Sequence, residues 1–130
     1  MGPVRILVVD DHAAVRRSIG ELLAPYPEWE VCGEAGDGVE AIAKAKELSP
    51  DLVLMDLTMP RMDGAAASKV IRHERPGIGV ILVSQNDGMV MDQLAGQIGA
   101  VGTVAKATLA RDLVPAIERA ICSDKPRCVH

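Results

Sequence analysis

Short apolar runs alternate along the chain with longer segments whose apolar residues recur at helical spacing. The runs predict strands at residues 4–9, 30–35, 52–57, 79–84 and 99–105. Each run is too short for a typical helix, and proline, glycine or polar residues lie at its ends. The segments between the runs predict helices, and the first of these helices carries Val15, Ile19, Leu22 and Leu23 on one face.

Acidic residues lie at the ends of two of the predicted strands. Asp10 and Asp11 directly follow the first strand, and Asp56 lies at the end of the third. In open α/β sheets, ligands bind outside the carboxyl ends of the strands. Three carboxylates brought together there would repel one another unless a cation lies between them. Hard oxygen ligands suit Mg²⁺ better than a softer metal, so the pattern predicts a magnesium site.

The acidic group and the alternation of elements agree on one topology. Strands that are continuously apolar are covered on both faces, and parallel strands joined through helices need right-handed crossovers. The doubly wound order 2-1-3-4-5 brings the first strand, with its acidic pair, beside the third. We therefore predict an α/β, flavodoxin-like (βα)5 domain with a five-stranded parallel sheet and helices on both faces. The predicted domain covers residues 1–122, and residues 123–130 form a polar tail or the start of a linker.

Composition narrows the classes of function. The 130 residues are 48% hydrophobic and 25% charged, the balance of one globular domain with a full core. The net charge of −4 argues against a nucleic-acid-binding face, and an aromatic content of 2% leaves no stacking platform for single strands. Because no apolar run could span a membrane and no signal peptide opens the chain, we expect a cytoplasmic protein. The three cysteines lack metal-site spacing, and we expect Cys32 to be a small buried strand residue.

Four parts of the sequence together resemble a known family. They are residues 8–12 (Val-Val-Asp-Asp-His), residues 55–64 (Met-Asp-Leu-Thr-Met-Pro-Arg-Met-Asp-Gly), Ser84 and Lys106. In this order they resemble the receiver domain of two-component response regulators, over residues 4 to about 121. Residues 34–38 and 99–102 look most like the subfamily whose members usually carry a C-terminal helix-turn-helix domain.

The resemblance implies a phosphoacceptor and a set of metal ligands. Asp56 would accept a phosphoryl group from the phosphohistidine of a sensor histidine kinase. Asp11 and Asp56 would bind Mg²⁺ directly. The backbone carbonyl of Thr58 would be a further ligand, and Asp10 would act mainly through water. The metal would neutralise charge on the transferring phosphoryl group and on its acceptor.

Two further residues would, by the same resemblance, contact the phosphoryl group. Lys106 would bind one phosphoryl oxygen as a point charge, and Ser84 would offer its hydroxyl to another, so that the Ser84 rotamer reports phosphorylation. The domain would switch a downstream output such as transcription, and the face of its fourth helix, fifth strand and fifth helix offers a surface for a homodimer. The resemblance implies no direct contact with nucleic acid or membrane, and no enzyme activity beyond self-catalysed phosphorylation and dephosphorylation.

Three positions depart from the usual receiver pattern. Thr103 lies where receivers generally carry Tyr or Phe, the aromatic residue whose inward movement accompanies phosphorylation. Gln85 follows Ser84 where a small residue normally leaves room for access to the site. The candidate switch residues are Ser84, Thr103 and Gln85. Ala107 follows Lys106 where many receivers have proline, often after a cis peptide bond, and a non-proline cis bond would cost about 3 kcal/mol.

These departures leave alternative interpretations open. The main one is a receiver-like interaction module whose regulation does not depend on phosphate. A phosphatase with an aspartate nucleophile is weaker, because such enzymes use Asp-x-Asp and Thr58 lies two residues after Asp56. Asp10 or Asp11 taken alone would serve equally well as a helix N-cap. We expect His12 to lie in the first turn of the helix and to face solvent.

Overall fold

In the part of the chain that the structure describes, strands and helices alternate. The computed structural model describes residues 2–57, 63–85 and 89–124, without the side chains of residues 89–91 and 122–124. The strands are β1 (Val4–Val9), β2 (Trp29–Ala35), β3 (Leu52–Asp56), β4 (Gly79–Ser84) and β5 (Gly102–Ala105). The helices are α1 (Ala13–Leu23), α2 (Gly38–Leu48), α3 (Gly64–Glu74), α4 (Met89–Ile98) and α5 (Leu109–Asp124), with a 3-10 turn at Lys106–Thr108. Among these described helices, none is long and apolar enough to cross a membrane.

The strands form one parallel sheet of order β2-β1-β3-β4-β5. This order confirms the predicted α/β, flavodoxin-like topology. Val9 of β1 lies opposite Met55 of β3, so the residues that follow them, Asp10 and Asp56, lie at the ends of adjacent strands. The sheet therefore places the predicted acidic group at its carboxyl edge.

Two apolar clusters fill the space between the sheet and the helices. Ile6 and Val8 point to the face covered by α1 and α5, whereas Leu7 and Val9 point to the face covered by α2 and α3. All residues of β3 and β4 are buried. Up to their last residues, Asp56 and Ser84, these central strands are apolar in sequence because both of their faces are covered.

The fifth strand is shorter than predicted, because the chain first has to leave α4. Gly99 has a φ of 82°, a left-handed conformation that glycine adopts without a steric penalty. The amides of Gly99 and Ala100 both donate to the carbonyl of Ala95, which closes the helix. β5 therefore begins at Gly102 and not at residue 99.

Smaller differences from the predictions lie at other element ends. β2 begins at Trp29, one residue early, and β3 ends at Asp56, one residue early. α5 continues to Asp124, and the domain boundary at residue 122 stays a prediction. Cys32 was expected to be buried, but it is only partly buried, because β2 is an edge strand of the sheet.

The start of α3 lies directly against the end of β3. A Cβ atom on Gly64 would lie 1.9 Å from the carbonyl oxygen of Asp56 and 2.9 Å from Cγ of Met55. Both distances are shorter than any non-bonded contact allows. The Gly64 amide also donates to the carbonyl of Leu57 at 3.1 Å. A glycine is therefore required here for close approach, and it holds α3 behind the backbone of Asp56.

We predict that Gly64→Ala lowers the free energy of unfolding by about 2 kcal/mol or more, because the backbone of Asp56 would have to move. Gly20→Ala is the matched control. A Cβ on Gly20, inside α1, meets nothing within 4 Å, so alanine should stabilise the protein there by roughly 0.5–1 kcal/mol. Urea unfolding of both variants would check this, and equal effects at the two positions would contradict it.

The first turn of α5 contains an acidic residue with two polar partners. Nε of Arg111 donates to Oδ1 of Asp112 at 2.9 Å, and the Thr108 hydroxyl donates to Oδ2 at 2.6 Å. The bond from Arg111, followed by the bond from Thr108, lowers the pKa of Asp112 to about 2 from its ordinary value of 3.8. A negative charge in the first turn also interacts favourably with the helix dipole.

This lowered pKa predicts a pH-dependent effect of Asp112→Asn. The ionised Asp112 stabilises the folded state above the pKa of the unfolded chain, and this contribution is lost as the pH falls through about 2. The variant should therefore unfold at a lower urea concentration than wild type at neutral pH, and the difference should shrink as the solution is acidified. Glu118→Gln removes the same charge from an exposed position of α5. If both variants showed the same pH dependence, the assignment to Asp112 would be wrong.

Candidate functional site

Charged side chains from separate strands meet at the carboxyl edge of the sheet. Asp10 follows β1, Asp56 ends β3, and Lys106 directly follows β5. Nζ of Lys106 lies 2.9 Å from Oδ2 of Asp10 and 3.3 Å from Oδ1 of Asp56. One ammonium group thus contacts two carboxylates that are 46 positions apart in the sequence.

These three groups are largely withdrawn from solvent. The exposed fraction of the side chain is 1% for Asp10, 2% for Asp56 and 13% for Lys106. Burial alone would lower the pKa of Lys106, but its contact with Asp10 and the charges of Asp10 and Asp56 raise the pKa above the ordinary 10.5. Lys106 is therefore positively charged at neutral pH. Its charge compensates the two buried carboxylates, which would be costly to bury without a cationic partner.

His12 contacts both members of the acidic pair. Its Nδ1 lies 3.2 Å from Oδ1 of Asp10 and 3.0 Å from Oδ1 of Asp11, and its amide donates to Oδ1 of Asp10 at 2.8 Å. The side chain is 58% exposed, but His12 is the N-cap residue of α1 and does not lie in its first turn. Asp10 and Asp11 are consequently not the N-cap. The sequence offered one signal for the contact, the position of His12 directly after the pair.

The donor set suits a hard divalent cation. Asp10, Asp11 and His12 each offer a ligand atom, and these atoms lie within 4.8 Å of one another. Lys106 connects Asp56 to this group, because its Nζ contacts both Asp56 and Asp10. The group has three carboxylates, and the Lys106 ammonium contacts two of them, Asp10 and Asp56. The site therefore keeps a negative charge that a divalent cation would balance, and oxygen donors favour Mg²⁺. Thr58, expected to supply a carbonyl ligand, lies outside the described residues.

The remaining predicted site residues lie at the end of β4, directly after it, and on β5. Ser84 ends β4 with 8% exposure, and it lies opposite Ala105, the residue before Lys106. Gln85 is exposed, and Thr103 is partly buried on β5. No peptide bond in the described part of the chain is cis, so the Lys106–Ala107 bond is trans.

Comparison with known sequences identifies a family. The family model of the response regulator receiver domain matches residues 6–118, from β1 into α5. The response regulator protein VraR of Staphylococcus aureus is 40% identical over 118 residues, which are 89% of this chain and 56% of VraR. The chain thus spans about half the length of the curated relatives it matches.

Solved structures agree with this match. A LuxR-family two-component response regulator from Aurantimonas sp. SI85-9A1 has a TM-score of 0.88 and 34% identity, covering 94% of this chain and 87% of that one. The receiver domain of the putative response regulator NarL from Mycobacterium tuberculosis has a TM-score of 0.84 and 32% identity, covering 98% of this chain and 100% of that one. The response regulator domain of CheB from Thermotoga maritima has a TM-score of 0.84 and 35% identity, covering 92% of this chain and 96% of that one. Sequence and fold together show that the chain belongs to the receiver domain family of two-component response regulators.

Proposed function

We propose that this receiver domain accepts a phosphoryl group on Asp56 from a sensor histidine kinase. The observation that carries the proposal is the contact of Lys106 with both Asp10 and Asp56 at the carboxyl edge of the sheet. An oxygen of Asp56 forms the new bond to phosphorus while the bond between phosphorus and the donor imidazole breaks. The electron pair stays with the imidazole, which takes up a proton. Such a reaction needs positioning and charge stabilisation more than covalent chemistry from the protein.

The residues at this edge divide the work of the reaction. Asp11 and Asp56 would hold Mg²⁺ directly, Asp10 would act through water, and the backbone carbonyl of Thr58 would be a further ligand. When bound there, the cation would neutralise charge on the phosphoryl group and on its acceptor. Lys106 binds a phosphoryl oxygen after Asp56 is modified, and its raised pKa keeps it charged for that role.

The switch in this proposal starts from Ser84, whose hydroxyl binds another phosphoryl oxygen. Thr103 offers too little surface to act as the usual aromatic lever, since a buried aromatic residue covers roughly 150–250 Å². The response therefore passes through Gln85 and the connection to α4, of which residues 86–88 lie outside the described part of the chain. The face of α4, β5 and α5 then serves as the surface for a homodimer.

The proposed output is transcription, carried out by the full protein in the cytoplasm. Support comes from the LuxR-family relative among the solved structures and from the response regulator VraR among curated proteins. The receiver domain itself makes no contact with nucleic acid in this proposal, and the net charge of −4 supports that division.

A second candidate function is a receiver-like interaction module that works without phosphate. Two observations favour it: the partly buried Thr103 replaces the usual aromatic residue, and the exposed Gln85 lies next to Ser84. It predicts a folded protein whose acidic group never becomes modified. The labelling experiment below separates the two functions.

We predict that a small acyl phosphate, with Mg²⁺, adds one phosphoryl group to the wild-type protein and none to Asp56→Asn, because the acceptor oxygen is lost. Intact-protein mass spectrometry is the measurement. Asp92→Asn, which removes an exposed carboxylate on α4, should be labelled like wild type. Labelling of Asp56→Asn at the wild-type level would exclude Asp56 as the acceptor, and no labelling of wild type would favour the interaction module.

A second prediction concerns the charge balance of the site. Without metal, Lys106→Met leaves two buried carboxylates without their cation, and the free energy of unfolding should fall by about 3–5 kcal/mol. Mg²⁺ should then raise the melting temperature of this variant more than that of wild type, because the cation replaces the lost ammonium charge. Lys69→Met, at an exposed position of α3, should respond like wild type. Equal responses of all three proteins to Mg²⁺ would count against a cation at this group.

A further inference from the structure

The peptide group that joins Asp10 to Asp11 is held by a side chain from outside the acidic group. Nη1 of Arg16, on α1, donates to the carbonyl oxygen of Asp10 at 2.5 Å. On the other side, the amide of Asp10 donates to the carbonyl of Ala35 at 3.0 Å. The backbone of Asp10 is thus fixed at both its amide and its carbonyl. The Asp10 carbonyl and the Asp11 amide form one peptide group. The bond from Arg16 therefore also restrains the backbone that carries the Asp11 side chain.

Arg16 is in turn oriented by an acidic residue of the edge strand. Its Nε donates to Oε1 of Glu34 at 2.8 Å. The Arg16 side chain is 22% exposed and that of Glu34 is 55% exposed, so the contact lies at the rim of the fold. The planar guanidinium can make both contacts at once, because its N–H groups point in different fixed directions.

An irregularity in β2 places Glu34 on the side of α1. Ile6 of β1 lies opposite Val31, but the next residue, Leu7, lies opposite Gly33, so Cys32 is an extra residue in the register. Side chains alternate between the faces of a strand, and one extra residue inverts the alternation. If the register continued from Val31 without a shift, Glu34 would lie opposite Val9 and point to the face covered by α2, away from Arg16.

We propose that Arg16, oriented by Glu34, is a positioning residue for the cation site. It fixes the Asp10–Asp11 peptide group, and thereby the backbone position from which the Asp11 carboxylate reaches the cation. The proposal rests on the proposed function in one respect, that the acidic group binds Mg²⁺. Residues that orient metal ligands in this way typically change metal affinity by roughly 10–100-fold when they are replaced.

Charge and positioning predict opposite effects of replacing Arg16, and this makes the proposal testable. Arg16 is a cation close to a cation site, so its removal by charge alone should tighten Mg²⁺ binding. Loss of positioning should weaken binding. The double variant Arg16→Met/Glu34→Gln removes one charge of each sign and keeps the net charge, so that it isolates the effect of position.

The experiment is a calorimetric titration of Mg²⁺ into wild type, Arg16→Met, the double variant and Arg17→Met. Arg17 is the adjacent, exposed residue of α1, and its replacement removes the same charge. We expect Arg16→Met and the double variant to bind Mg²⁺ roughly tenfold more weakly than wild type. Arg17→Met should bind as tightly as wild type or slightly more tightly. Binding by Arg16→Met that matches Arg17→Met would overturn the proposal.

A measurement without metal separates positioning from general stability. Amide hydrogen exchange of residues 11 and 12 should accelerate in metal-free Arg16→Met, while exchange in β3 and β4 stays at the wild-type rate. Uniform acceleration with unchanged Mg²⁺ affinity would show a purely structural role. If Arg16→Met does not fold, Arg16→Lys is the substitute, and it should also bind Mg²⁺ more weakly because lysine keeps the charge without the fixed fork. A wild-type protein that binds no Mg²⁺ would refute the metal site of the proposed function itself, which is a different outcome.

Discussion

The rest of the structure depends on the ion pairs of Lys106 with Asp10 and Asp56. Two carboxylates that are 1% and 2% exposed are tolerable only beside a cation, and Lys106 Nζ lies within 3.3 Å of both. This requirement constrains the topology. Asp10 and Asp56 must end neighbouring strands, and β5 must end where the lysine side chain can cross the edge of the sheet. The order β2-β1-β3-β4-β5 meets these conditions, and the 3-10 turn that begins at Lys106 turns the backbone away directly after the lysine.

The features that the sequence predicted correctly are those set by periodicity. β1 and β4 have the expected bounds, and Asp10 and Asp56 lie together because parallel strands share an edge. The features it missed are set by single backbone conformations or by contacts between distant segments. The positive φ of Gly99 shortens β5, the extra residue in β2 turns Glu34 toward α1, and Gly64 is required by the backbone of Asp56. No spacing of apolar residues encodes any of these. The contacts of His12 depend likewise on its place as the N-cap of α1.

The distribution of aromatic residues constrains how a signal can leave the site. The chain has one Tyr, one Trp and no Phe, and Tyr26 and Trp29 stack on each other with ring centroids 4.8 Å apart. Trp29 begins β2, at the opposite edge of the sheet from β5 and Thr103. No aromatic ring is therefore at hand to move in or out beside β5. Only one residue of β5 is buried, whereas β4 is buried throughout, so a small rearrangement at this edge disturbs less of the core than it would at the centre.

The two members of the acidic pair have different degrees of freedom. Each polar group of Asp10 contacts another residue. Its amide donates to the carbonyl of Ala35, and its carbonyl accepts from Arg16. Oδ1 accepts from the amide of His12, and Oδ2 forms an ion pair with Lys106. Asp11 is 27% exposed, and its carboxylate contacts the largely exposed ring of His12. A carboxylate with a solvent-accessible partner can exchange that partner for a cation at little cost, whereas moving Asp10 would break contacts to three other elements. The proposed function makes Asp11 the direct ligand and Asp10 the residue behind it, and the greater exposure of Asp11 is in keeping with that division.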